Sequence, residues 1–202
     1  MFSFRPRDLV ASSAFVAALV LGAAPARAHP HVFIDNRVRA VFSSGRLTAF
    51  ALEWSFDELA TQGVLFGRKP ADAPLRPSEI PGLRKKAFDN LIHYGYFVHV
   101  WQGGQVDPVG GIDAFDAHLN GSRIVYDFTA RLARPLDPRR MPVQADFYDE
   151  TYFVDVEFPE GDPRPVTLTG SPAGCTATAG EDAAHPIPLW GFKPSGVTIA
   201  CA

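Results

Sequence analysis

The segment from His31 to Phe56 constrains the fold more than any other part of the chain. Ile34, Val38, Ala40 and Phe42 alternate with Asp35, Arg37 and Arg39. After Ser43-Ser44-Gly45, Phe50, Leu52, Trp54 and Phe56 alternate in turn. Period-two alternation on both sides of a short glycine turn is the pattern of a β-hairpin. A register centred on Gly45 sets Val38 opposite Leu52, Asn36 opposite Trp54 and Ile34 opposite Phe56. One face of the hairpin is then almost wholly apolar and needs a second layer to cover it, because a slip of one residue would turn that face to water. The opposite face collects His31, Phe33, Asp35, Arg37, Glu53 and Ser55.

The following segments extend the β character. Phe56-Asp57-Glu58 reads as a helix start with Asp57 as N-cap. A proline-rich loop from Lys69 to Pro77 is expected to be exposed. From Ser78-Glu79-Ile80 to His93, the residues Leu83, Ala87, Phe88, Leu91 and Ile92 recur at helical spacing, which predicts one main helix. Strand-like runs cover Tyr94 to Trp101, Ile112 to Leu119, Arg123 to Ala133, Val143 to Phe147 and Tyr152 to Phe158. Leu119-Asn120-Gly121-Ser122 joins two of them as a hairpin turn. The 16 phenylalanines and 18 prolines suit short strands and firm turns better than helical bundles. The expected fold is mainly β (α+β), an antiparallel sheet or sandwich-like domain with one main helix inserted after the first hairpin. Residues 161–202 are Pro/Gly/Ala-rich and are expected to form an extended tail.

The N-terminus reads as a cleaved export signal. Arg5 and Arg7 form a short positive region, and Leu9 to Ala24 is apolar apart from Ser12 and Ser13. Pro25 ends it, and Ala26-Arg27-Ala28 places small residues where signal peptidase reads them. The apolar run is shorter than the ~20 residues that span a bilayer, and no cysteine near the cut could carry a lipid. Residues 1–28 are therefore expected to be a signal peptide. Residues 29–202 then form one periplasmic domain with no stable membrane insertion after cleavage. The net charge of −3 becomes more negative on cleavage, because Arg5, Arg7 and Arg27 leave with only Asp8. Such a chain offers no basic surface to nucleic acid. Cys175 and Cys201 are the two cysteines of an exported chain, which makes a disulfide their default state, worth roughly 3–4 kcal/mol by chain entropy. Two soft metal ligands are the rival reading, but the CxxC spacing that would support it is missing.

His29-Pro30-His31 carries the sharpest chemistry. Cleavage after Ala28 gives His29 a free α-amine beside its own imidazole, and His31 supplies a third nitrogen, as in a histidine brace. Amine and imidazole titrate near ~8 and ~6.5, so both offer lone pairs close to neutrality. Nitrogen donors of this kind suit Ni, Co, Zn and Cu. Pro30 lacks an N–H, which excludes the square-planar amino-terminal copper and nickel motif. His31 and Glu53 share the polar hairpin face and Asp57 ends the second strand beside His31, so both carboxylates are candidate oxygen ligands. Arg37 opposite Glu53 offers a plain cross-strand ion pair instead. In Asp146-Phe147-Tyr148-Asp149-Glu150-Thr151-Tyr152, Asp146 and Asp149 read as turn-formers, with Asp149 a further candidate ligand. His93 and His99 read as half-buried polar tips, His118 and His185 as surface residues. The sequence contains no GxSxG, HExxH, P-loop or GxGxxG.

Four stretches taken in order, His29-Pro30-His31-Val32-Phe33-Ile34-Asp35, Leu52-Glu53-Trp54-Ser55-Phe56-Asp57-Glu58, Asn90-Leu91 through Tyr96-Phe97, and Tyr148-Asp149-Glu150-Thr151-Tyr152, resemble domain of unknown function family 1007. The similarity runs from His29 to about Phe158; the tail after Gly161 lies beyond it. The resemblance implies a bacterial periplasmic protein of the kind labelled a periplasmic component of an ABC-type transport system and found with nickel/cobalt-type permeases. It implies no particular ligands. The expected function is a periplasmic transition-metal-binding accessory of a metal transport system, partnered by an inner-membrane permease. The alternatives are a histidine-brace copper oxidoreductase and a metal-free peptide- or protein-binding module.

Overall fold

In the computed structural model, which describes residues 30–65, 74–170 and 173–202, the hairpin has the expected register. Strands β1 (Val32–Ser43) and β2 (Arg46–Phe56) set Ile34 against Phe56, Asn36 against Trp54 and Val38 against Leu52, with a bulge at Val41/Phe42. Ser44 and Gly45 make the turn with φ of +50° and +75°, the left-handed pair that matches strand twist in a tight hairpin. Strand β6 (Arg123–Leu136) pairs with the free edge of β2, and β5 (Val109–Asn120) lies outside it. On the other edge of β1 lie β8 (Val154–Glu157) and β9 (Val166–Thr169), both parallel to it. The sheet is thus mixed, because the chain crosses over from the opposite layer and meets β1 running the same way.

That opposite layer has five strands, in the order β10 (Cys175–Glu181), β11 (Ser195–Cys201), β7 (Val143–Phe147), β3 (Val98–Gln102) and β4 (Gln105–Val106). The segment after Gly161 helps build the domain. Strand β11 is inserted between β10 and β7, with Val197 and Ile199 fully buried. Cys175 and Cys201 face each other in register and form the disulfide, closing a separation of 26 residues.

The two sheets enclose one core. Phe50 of the first and Phe147 of the second, both fully buried, meet edge to face at 6.2 Å. Trp54 is packed by Phe56, Phe88, Phe97 and Phe128 at centroid distances of 4.7–6.4 Å. Burial of side chains this large contributes about 2–3 kcal/mol each.

One short helix and a 3-10 segment replace the main helix expected from Ser78 to His93. Helix α1 (Glu58–Val64) starts where predicted, with Asp57 accepting from the Ala60 N–H. Helix α2 (Ile80–Ala87) stops at Phe88, whose φ of −132° breaks it, and the 3-10 segment Asp89–Phe97 follows. The cause is tertiary. Phe88 is drawn into the aromatic cluster, touching Trp54, Tyr96, Phe115 and Phe128. Gly95, Tyr96 and Phe97 then take φ of +59°, +54° and +56°, so β3 begins at Val98 and not at Tyr94. Among the described residues no helix is long and apolar enough to cross a membrane.

Candidate metal centre

Strand β7 alternates strictly. Val143, Ala145 and Phe147 enter the core, while Gln144 and Asp146 stand on the outer face of the second sheet. Asp146 lies opposite His99 of β3 on one side and Gly196 of β11 on the other. Gly196 is there for space: a Cβ would sit 2.7 Å from Gln144 Nε2 and closer still to Asp146 Oδ1. Although it points away from the core, Asp146 is 0% exposed, because the segment from Asp182 to Pro194 folds back over it. That segment is fixed by the Asp182 N–H donating to Pro194 O at 2.9 Å and the Ile187 N–H donating to Phe192 O at 2.8 Å.

The two Asp146 oxygens differ. Thr198 Oγ1 donates to Gln144 Oε1 at 2.6 Å, and Gln144 Nε2 donates to Asp146 Oδ1 at 2.5 Å. Oδ2 is buried and accepts no hydrogen bond among the described residues; when protonated it donates to Asp182. It faces Asp182 and His185. His185 Nδ1 lies 2.6 Å from Asp182 Oδ2 and 3.9 Å from Asp146 Oδ2. One ligand atom from each of Asp146, Asp182 and His185 lies within 4.8 Å of the others. The His185 ring is held flat against Trp101, with centroids 4.2 Å apart and planes 15° apart.

The two carboxyls titrate in opposite directions. Burial pushes Asp146 up to about 8, the nearby charge of Asp182 adds to this, and the Gln144 hydrogen bond opposes it. For Asp182 burial also acts upward, but the hydrogen bonds from His185, the Ala184 N–H and Asp146 outweigh it and hold the group below the usual carboxylate range. The pair therefore shares one proton, and it resides on Asp146. An orphan carboxyl oxygen beside a carboxylate and an imidazole can take either that proton or a cation. Two oxygens and one nitrogen suit Zn, Ni or Co, and three protein ligands leave further coordination positions open. Next to the cluster, burial lowers His99, whose ring stacks on Tyr148 at 3.8 Å while Nε2–H donates to the Tyr148 carbonyl at 3.0 Å.

The residues singled out from the sequence lie elsewhere. His29 and the expected cleavage site are outside the described residues. His31 is exposed; its N–H donates to Phe153 O at 2.9 Å and its ring packs on Phe153 at 5.1 Å. Asp57 has both oxygens engaged, by Phe33 N–H at 2.7 Å and Ala60 N–H at 2.9 Å. Glu53 pairs with Arg37 at 2.9 Å, the cross-strand ion pair. Asp149 is the turn-former it was read as: it accepts from the Thr151 N–H and hydroxyl and from the N–H groups of Phe153 and Val154. The fold brings His31 and the Asp149 turn together through Phe153, and leaves Glu53 with its arginine.

Two readings are corrected here. Asp146 is a central strand residue and not a turn, because the Val143–Phe147 alternation continues through it. His185 is half-buried in the cluster and not a free surface residue. The sequence carries two signals for this site, the outward Gln144/Asp146 pair in a strand and the Asp182-x-x-His185 spacing. Neither says that the two segments meet.

Comparison with other proteins supplies kinship without an activity. The chain is 25% identical over 133 residues to an uncharacterised protein of Haemophilus influenzae, an alignment covering 65% of this chain and 63% of the relative, so less than two thirds of that protein is spanned. It is 34% identical over 99 residues to an uncharacterised 15.5 kDa protein in the trpE 3' region of Spirochaeta aurantia, covering 49% of this chain and 70% of the relative. The model of the family described as "Protein of unknown function (DUF1007)" matches residues 14–186, and the chain belongs to that family.

Proposed function

We propose that this protein binds a divalent transition metal ion at Asp146, Asp182 and His185 and serves a membrane metal transporter as a periplasmic accessory. The observation that carries the reading is Asp146 Oδ2, a fully buried carboxyl oxygen without a donor, aimed at a carboxylate and an imidazole. Proteins seldom bury such an atom unless something fills the gap. Three ligands, two of them on one surface segment, hold an ion that can still be passed on, whereas a closed four-ligand site would lock it in place. The Cys175–Cys201 disulfide suits an oxidising compartment such as the periplasm. Zn, Ni and Co are the ions the donor set fits best, and Cu(II) follows. We take the activity to be binding and delivery, not catalysis.

The test is isothermal titration of Zn, Ni, Co and Cu(II) into protein recovered from the periplasm, its intact mass first checked against residues 29–202. His185→Ala should weaken binding by about tenfold or more, the loss of one good ligand costing more than ~1.4 kcal/mol. His118→Ala, on the opposite sheet, should bind like wild type. Wild-type affinity in His185→Ala would overturn the assignment and return the ion to the α-amine, His29 and His31.

A further inference from the structure

The outer face of the first sheet carries a groove of about 440 Å³, within the size range of small-molecule sites. Its floor is a register row that crosses four strands: Thr167, Arg39, Ala51 and Thr129 are direct neighbours, so their side chains share one face. Ala51 is the small residue that leaves the floor open. The next row is Arg37, Glu53 and Asp127. Arg164, just ahead of β9, lines one side and Ala114 of β5 lies at the other. Ala114 sits in the bulge between Asp113 and Asp116 with φ of +52°. A non-glycine residue in that region is strained, and bulges of this kind gather at binding sites.

The charges of the groove are unequally matched. Arg37 is neutralised twice, by Glu53 at 2.9 Å and Asp162 at 2.8 Å. Asp127 Oδ2 lies 3.1 Å from His118 Nδ1, a hydrogen-bonded contact that is an ion pair only when the imidazole is protonated. Arg39 makes no hydrogen bond or ion pair through its guanidinium among the described residues. Arg164 donates only its backbone N–H, to Asp162 Oδ1 at 2.9 Å, and Asp162 is already the partner of Arg37. Among the described residues, two guanidinium groups are thus left without a hydrogen-bonding carboxylate, beside the Thr129 and Thr167 hydroxyls. A guanidinium presents a planar fork of donors that fits carboxylate and phosphate oxygens in pairs. The chain as a whole has a net charge of −3, so the binding must come from local pairing and not from diffuse attraction by the whole protein.

We propose that this groove binds a small anion of carboxylate or phosphate chemistry, with Arg39 and Arg164 as its charge partners and Thr129 and Thr167 as neutral donors. The assignment is independent of the metal centre, which lies on the other sheet.

The experiment is isothermal titration of the full processed chain with tricarballylate, succinate and inorganic phosphate, at about 0.15 M NaCl to screen diffuse attraction. Saturable binding is expected, with Kd at or below about 1 mM for the best of the three. Arg39→Ala and Arg164→Ala should each weaken it by about tenfold, and Arg39→Lys should recover only part, since it keeps the charge and loses the fork. Arg140→Ala removes an exposed cation outside the groove and should change nothing. Both groove arginines are exposed, so their replacement leaves the core intact, which circular dichroism verifies. Stronger binding of tricarballylate identifies an organic acid; stronger binding of phosphate identifies a phosphate ester. Dilution heats alone for all three anions at about 10 mM, or binding unchanged in the Arg39→Ala/Arg164→Ala double variant, would overturn the proposal. Asp146→Asn should bind the anion normally, which separates failure here from failure of the metal assignment.

Discussion

Asp146→Asn should make the metal-free protein more stable at pH 8 while abolishing its metal site. An aspartate in the unfolded chain titrates near 3.8, and burial pushes Asp146 up to about 8 in the folded protein. Below pH ~3.8 the group is neutral in both states and costs nothing. As pH rises the unfolded chain releases its proton while the folded one keeps it, so each pH unit up to about 8 subtracts as much as ~1.4 kcal/mol from stability. The ceiling at pH 7 is about 4 kcal/mol; relaxation of the Asp182–His185 segment and entry of water bring the expected penalty to about 1–3 kcal/mol. Asparagine stays neutral throughout. Its oxygen accepts from Gln144 and its amide donates to Asp182, reproducing the protonated acid. In urea unfolding in EDTA, with the disulfide intact, the Asp146→Asn variant should therefore exceed wild type by about 1–3 kcal/mol at pH 8, a difference that vanishes near pH 4. Adding metal at about 100 times Kd should raise wild-type stability by about 2.7 kcal/mol and leave the variant unmoved. A variant less stable than wild type at pH 8, or one with the same slope of stability against pH, would refute this account of the buried carboxyl.

Two further substitutions probe the supports of the fold and the site. Gly196→Ala places a methyl into Asp146 and Gln144, so it should cost about 1–3 kcal/mol in urea unfolding and weaken metal binding as much as a ligand deletion does; an unperturbed metal titration would show that the Gln144–Asp146 bond has no part in the site. Asp149→Ala removes the acceptor of four hydrogen bonds around a group only 3% exposed, and should destabilise by about 2–4 kcal/mol while leaving metal affinity intact. Lost affinity in a variant that still folds would make Asp149 a ligand after all.

The hairpin, the Asp57 cap, the strand over Val143–Phe147 and the cysteine pair were legible because each is a local rule. Period-two alternation around a glycine turn fixes register without knowledge of the rest of the chain, and a capping side chain needs only the helix that follows it. The helix expected to reach His93 has sound periodicity, yet Phe88 gains more by entering the cluster around Trp54 than by continuing a helix, so tertiary packing overrides local propensity there. The Asp57 and Glu53 carboxylates show a related limit: the sequence offered each of them both a metal and a local partner, and the bonds to Phe33, Ala60 and Arg37 show that the local partners are engaged.

What the sequence determined by itself, then, is a layered β domain with a buried hairpin face and paired cysteines, since hydrophobic period and turn chemistry act over a few residues. What the tertiary structure decided is which polar groups meet. Asp146 and the Asp182–His185 pair are brought together because β11 inserts between β10 and β7 and the intervening segment folds over the sheet. Arg39 and Arg164 come to share a groove because β9 runs parallel to β1. Such encounters depend on strand order and crossover direction, which are set by how the whole core closes and leave no periodic trace in the chain.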